Sequence, residues 1–239
     1  MRQVSKKALG IVTAAAACLA LSVVSPTADA ASKSAKPGAV KMSCRKAPSS
    51  VESAENGGVI QQGAKAPNFV ATRLDCGTTS MKQLAGGKVT FINFFASWCH
   101  YCIEEAPDLV KFYNTYHSKG LNGIGVDTSD DGTPPGNPSF FYSKYHFPFV
   151  SVWDTPNPEG GTGLQTDMIW EAYQTQPGVT CIPTTVWLHA DGTISSVVVD
   201  TMTPAVMKQH FDWAKKTQAE LMTDPLYLAD QAQTSKCAA

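Results

Sequence analysis

The sequence has 239 residues, 43% hydrophobic and 16% charged, enough for one globular domain with a sizeable core plus extensions. A formal net charge of −1 carries no basic excess and so argues against a nucleic-acid partner. The chain begins with a segment outside the fold. Arg2, Lys6 and Lys7 form a positive region, Ala8 to Val24 is apolar, and Ala28-Asp29-Ala30 fits the small-x-small cleavage rule. Residues 1–30 are therefore expected to be a signal peptide, with the mature chain starting near Ala31. Two variants of this reading are an uncleaved anchor, although a span usually needs about 20 apolar residues, and lipidation of Cys18 behind a poor Ala15-Ala16-Ala17 lipobox. All three place the protein outside the cytoplasm, in a periplasmic or cell-envelope space or secreted.

Residues 31–58 are rich in Ser, Lys, Ala and Pro without an apolar period, and read as a linker or flexible segment unless Cys44 ties it down. A domain is expected over 59–222. Asn68 to Leu74 reads as a strand ended by the turn composition Asp75-Cys76-Gly77, and Ser80 to Leu84 as one helical turn. Val89 to Phe95 is the first strong strand. The spacing of Ile103, Ala106, Leu109, Val110 and Tyr113 predicts a helix from Tyr101 to about His117, kinked at Pro107. A strand at Leu121 to Val126, a helix at Pro138 to Tyr145, a strand at Phe149 to Val152 and a helix at Thr166 to Tyr173 follow. Ala190-Asp191-Gly192 joins Thr184–Leu188 to Thr193–Val199 as a hairpin. Thr203-Pro204 opens a helix to about Leu221, and residues 223–239 read as a loose tail. Strands alternating with helices and closed by a hairpin predict an α/β fold around a mixed sheet.

The chemistry concentrates in Trp98-Cys99-His100-Tyr101-Cys102, at a strand-to-helix junction. There the first cysteine meets unpaired backbone N–H groups and the positive end of the helix dipole, which favour a thiolate, the species that attacks disulfides. Two cysteines so spaced can close a disulfide with little backbone movement. The alternatives are a permanent structural bridge or half of a zinc site, but His189 and His210 are isolated and no second Cys-x-x-Cys exists. Outside this pair an exported chain retains Cys44, Cys76, Cys181 and Cys237, which allow three pairings. Asp127-x-Ser129-x-Asp131-Gly132 resembles the start of a calcium loop, but its twelfth position is Pro138. Gly160-Gly161-Thr162-Gly163 lacks the Lys-Ser/Thr of a phosphate loop. Trp153, Trp170 and Trp187 read as core or site-lining aromatics.

Gly63-Ala64-Lys65-Ala66-Pro67-Asn68-Phe69, Phe95 to Cys102, Glu105-x-Pro107 and Ile182-Pro183-Thr184-Thr185 occur in this order. Together they resemble the thioredoxin-like exported oxidoreductases, the branch with the cytochrome-c-maturation reductases and membrane-tethered thioredoxins, over roughly Gly63 to Leu221. The resemblance implies a thioredoxin fold with an N-terminal extension and exchange of disulfides with exported polypeptides. It further implies a membrane thiol partner that recycles the site, and no cofactor or metal beyond the redox-active Cys99–Cys102 pair. Cys99 would be the exposed attacking thiol and Cys102 the buried resolving one. Glu105, one helical turn beyond Cys102, would handle its proton, because the position where thioredoxins proper carry a buried aspartate is Asn93 here. Glu104 is its solvated competitor. His100 and Tyr101 would tune the potential within the known span of about −270 to −120 mV, roughly 7 kcal/mol. A protonated His100 would do so by stabilising the Cys99 thiolate; the plainer reading is an exposed residue touching substrate. Trp98, Ile182 and a cis Pro183 would contact substrate. Cys181 would lie at the site rim, as a second reactive thiol or in a structural disulfide, with Cys76 one candidate partner. The rivals are weaker. A peroxide-reducing site wants Thr where Ala96 stands, a copper-delivery site wants one more residue between the cysteines, and a non-catalytic interaction module needs no such pair. The direction of electron flow, as a reductase for cytochrome c maturation or as an oxidase of exported proteins, stays open at this point, and His100 and Tyr101 can decide it.

Overall fold

The structure, a computed structural model, describes residues 40–41, 43–44, 49–52, 60–128, 138–155, 168–174 and 181–232. These belong to one compact unit, Ser34–Ala239. The signal-peptide segment, Cys18, Cys237, the rest of the calcium-like loop and the Gly160–Gly163 turn lie outside the described residues.

A small antiparallel sheet comes first, β1 (Ser50–Val51), β2 (Phe69–Thr72) and β3 (Thr78–Ser80). The segment read as a linker, flexible unless Cys44 ties it down, thus holds a strand. It is also tied down, because Cys44 is bonded to Cys76 and the Lys41 N–H donates to the Leu74 carbonyl at 2.8 Å. This corrects the suggested Cys76–Cys181 pairing. Cys181 is itself disulfide-bonded, but not to Cys76. Ser80 then caps the short α1 (Met81–Ala85) through a reciprocal capping box with Gln83.

The main sheet is built from β4 (Val89–Phe95), β5 (Leu121–Asp127), β6 (Val150–Trp153), β7 (Thr184–Leu188) and β8 (Ile194–Val199), in the order β6-β5-β4-β7-β8. β4 runs parallel to β5, and β5 to β6, while β7 and β8 complete the sheet antiparallel. Parallel neighbours require crossovers, supplied by α2 (His100–Tyr116) and α3 (Pro138–Tyr145). α4 (Met168–Ala172) follows β6, and α5 (Pro204–Trp213) follows β8. α2 continues through Pro107 as one helix.

β4 is buried along its whole length, so its alternating side chains feed two cores. Phe91 and Phe95 point to a layer with Leu109, Phe112, Trp187 and Phe211, and Ile92 and Phe94 to one with Ile124, Ile169 and Val186. On β5, a Cβ at Gly123 would collide with the Phe91 ring and one at Gly125 with the Ser151 side chain. Glycine there lets bulky neighbours close over the sheet. By the same alternation Asn93 shares the face of Phe91 and Phe95, turned toward α2.

Both outer strands are partly covered by earlier chain. Gly63 and Ala64 exchange backbone bonds with Ile194 at 2.8 and 2.9 Å. On the far side the Leu74 N–H donates to Ser151 at 3.0 Å, and Arg73 bridges Val152.

The C-terminal part departs from expectation. The helix predicted to reach Leu221 stops at Trp213, and Thr217 caps a separate α6 (Gln218–Leu221) with Glu220 completing a capping box. The expected loose tail from 223 instead contains α7 (Pro225–Ala232). Asp224 accepts from the N–H groups of Leu226 and Tyr227 at 3.0 and 3.3 Å, and the buried Tyr227 ring packs edge-on against Trp213. The Tyr227 hydroxyl donates to the Ser195 carbonyl at 2.7 Å. The domain therefore runs past residue 222.

Candidate active site

Cys99 is the N-cap of α2, with extended backbone, and its sulfur accepts from the Cys102 N–H at 3.2 Å. It is bonded to Cys102. A 17-residue helix thus begins on this sulfur, with a donor and the positive dipole end directed at it, the arrangement that lowers a thiol's pKa. The expected contrast of an exposed Cys99 and a buried Cys102 does not hold in this disulfide form, where they are 5% and 3% exposed. Cys99 lies among the residues of the aromatic layer, and its Sγ is 3.4 Å from the Ile182 carbonyl oxygen.

That carbonyl belongs to a cis Ile182–Pro183 peptide leading into β7. Ile182 is half-buried against both cores, and the Thr184 hydroxyl donates to the Cys181 carbonyl at 2.6 Å. Cys181 therefore stands two residues from the proline, already held in a disulfide. Trp98 and Tyr101 are 41% and 43% exposed beside the covered bridge. His100 turns along the helix toward solvent, pairing with Glu104 at 3.1 Å and meeting the Tyr101 ring edge-on. This is the exposed arrangement of His100, engaged with Glu104, and Glu104 is solvated as expected.

Glu105 is 2% exposed. Its two oxygens accept from the Asn93 amide at 3.1 Å and the Met202 N–H at 2.9 Å. Asn93 also donates to the Thr185 hydroxyl at 2.9 Å, across the β4–β7 pair. Burial pushes the Glu105 carboxyl up to about 7, against the two hydrogen bonds, which favour ionisation; Asp200 and Asp108 raise it further. The carboxyl thus comes to lie beside Asn93. Asn93 acts as its donor, a part not expected for it; its signal was the two-residue period placing it on the α2 face. Met202 gave no sequence signal, because its contribution is a backbone N–H. The arrangement provides a closable dithiol, a helix terminus that stabilises a thiolate, an adjacent backbone carbonyl and a buried carboxyl able to exchange a proton near neutral pH.

The sequence model of the Redoxin family matches residues 61–213. Thiol-disulfide oxidoreductase ResA of Geobacillus thermodenitrificans is 29% identical over 156 residues, 65% of this chain and 79% of that protein. ResA of Bacillus subtilis is 27% identical over 156 residues, 65% and 77% respectively. A thiol:disulfide interchange protein of the thioredoxin family from Chlorobium tepidum TLS superposes with a TM-score of 0.51 at 26% identity, covering 63% of this chain and 94% of its own.

Proposed function

The chain belongs to the Redoxin family, and on that premise we propose how it works, where it works and with what. It is a thioredoxin-like thiol–disulfide oxidoreductase of the cytochrome c maturation type. The observation that carries the reading of its site is the Cys99–Cys102 bridge capping α2 beside Ile182–Pro183, with the Glu105 carboxyl buried behind it.

In the reduced enzyme the Cys99 thiolate attacks one sulfur of a substrate disulfide. That S–S bond breaks, a mixed disulfide forms, and the departing substrate thiolate takes a proton from solvent. Glu105 then accepts the Cys102 proton, and the Cys102 thiolate attacks Cys99 Sγ. The mixed bond breaks, the second substrate thiolate leaves, and the enzyme is oxidised by two electrons while the substrate gains them. A carboxyl with a pKa of about 7 both takes and returns that proton near neutral pH. Trp98, Ile182 and Pro183 are the contacts for the substrate chain, and His100 and Tyr101 adjust the potential. The pair itself is the redox group, with no further cofactor.

The same atoms run in reverse, so the potential of the pair against its partners sets the direction. The partners are exported polypeptides bearing thiols or disulfides and a membrane thiol protein that recycles the pair. The leader-like composition of residues 1–30 supports export to an extracytoplasmic space, with cleavage after Ala30. Among the described residues no helix is long and apolar enough to cross a membrane.

The test is turnover of insulin disulfides or of a reduced dithiol peptide, with the potential fixed by equilibration against glutathione. Cys99→Ser is expected to abolish turnover, and Cys102→Ser to stop it at a trapped mixed disulfide. Turnover that survives Cys99→Ser would overturn the assignment, and stoichiometric copper binding without turnover would favour a metal carrier instead.

A further inference from the structure

Asp200 directly follows β8 with φ of +125°, backbone that glycine enters readily and other residues rarely do. Such backbone persists where surrounding bonds over-determine it, and it clusters at functional sites. Here the bonds are specific. The Asp200 N–H donates to the Pro183 carbonyl at 3.0 Å, and its own carboxylate accepts from the Thr201 N–H at 2.6 Å. Two residues on, the Met202 N–H donates to Glu105 at 2.9 Å.

Building on the reading of Glu105 as proton carrier, we propose that Asp200 is a positioning residue of the exchange site. Its turn ties the Pro183 strand end, where substrate would lie, to the carboxyl that serves Cys102. One three-residue turn thereby holds both the substrate-facing backbone and the proton acceptor. Glycine would accept the same φ but lacks the carboxylate that locks Thr201, and alanine would lack both advantages.

The Asp200 charge also acts on Glu105 through space, in the sense that favours its protonated form, after the larger effect of burial. The titratable groups facing Glu105 are Asp200 from this turn, Asp108 from the following turn of α2 and, in the reduced enzyme, the Cys102 thiol. β4 and β7 contribute the neutral Asn93 and Thr185.

The experiment is the pH profile of disulfide exchange by the full-length protein and its Asp200→Asn, Asp200→Ala and Glu105→Gln variants, with folding checked by circular dichroism. Glu105→Gln identifies the inflection that belongs to the carboxyl. Asp200→Asn, which keeps the turn and removes the charge, is expected to move that inflection to lower pH. Asp200→Ala is expected to lose roughly fivefold in rate through the disfavoured backbone, with recovery in Asp200→Asn. An Asp200→Ala rate equal to the parent's, or an Asp200→Asn rate that falls with it, would overturn the proposal while leaving Glu105 in its role. If Glu105→Gln itself retains the inflection, the proton-carrier reading fails, and this proposal fails with it. If Asp200→Ala does not fold, Asp200→Gly, which accepts the same φ without the carboxylate that holds Thr201, takes its place, and a rate equal to the parent's would overturn the proposal.

Discussion

Glu105 has a cost that can be read in solution. Its carboxyl titrates near 4.5 when unfolded and at about 7 in the fold, so folding disfavours its ionised form. The stability tied to the protonated carboxyl is fully present below pH 4.5 and is lost as pH rises through 7, amounting to about 3 kcal/mol. In Glu105→Gln the fall in denaturation free energy from this residue between pH 5 and 8 is expected to vanish. Urea midpoints across that range check it, and an unchanged slope would refute the shifted pKa. The spacing from Cys102 made Glu105 legible in the sequence. Its partners were not, because Asn93 reaches it through the α2–β4 packing and Met202 offers only backbone. The i,i+4 spacing of His100 and Glu104 was itself readable on the predicted helix; that the imidazole pairs with Glu104 is what the structure adds.

At the scale of elements, the cores of the strands and helices from β4 to α5 were readable from apolar period, hairpin turn and caps. Short elements escaped. β1 has two residues and exists only because β2 pairs with it. α7 carried a start signal in Asp224-Pro225, the counterpart of Thr203-Pro204, but its polar sequence surroundings masked it. The Cys44–Cys76 bridge could not be chosen from three pairings, because the choice depends on Lys41 meeting Leu74 in space. It closes a loop with a sequence separation of 32 residues. By loop-closure entropy its loss costs about 3–4 kcal/mol. The Cys44→Ser/Cys76→Ser double variant is expected to lower the urea midpoint accordingly while turnover persists at low denaturant. A midpoint equal to the parent's would show that the bridge contributes nothing to stability.

Across the molecule, a second buried group opposes Glu105. His210 is buried, with Nδ1 2.7 Å from the Ser196 hydroxyl, its ring stacked on Trp187 and edge-on to Trp213. Burial lowers its pKa to about 4 from 6.5. Its neutral form is therefore the folded one, and the associated stability is present above pH 6.5 and lost as pH falls through 4. Between about 4.5 and 6.5 the two residues pull the stability curve in opposite directions by similar amounts. The parent protein is expected to be nearly level there. Glu105→Gln should rise with pH across that window and His210→Gln should fall, as melts at intervals of pH would register. Parallel curves for the parent and both variants would discount the two shifts together.

The covered outer strands also bear on how this protein meets its clients. Chain from Gly63 to Lys65 lies beside the start of β8, at Thr193 and Ile194, and chain from Arg73 to Leu74 beside β6 at Ser151 and Val152. An open sheet margin is a template on which any extended polypeptide can grow a further strand. Its own chain, laid along part of each margin, leaves less of the sheet open to such pairing than a bare edge would offer.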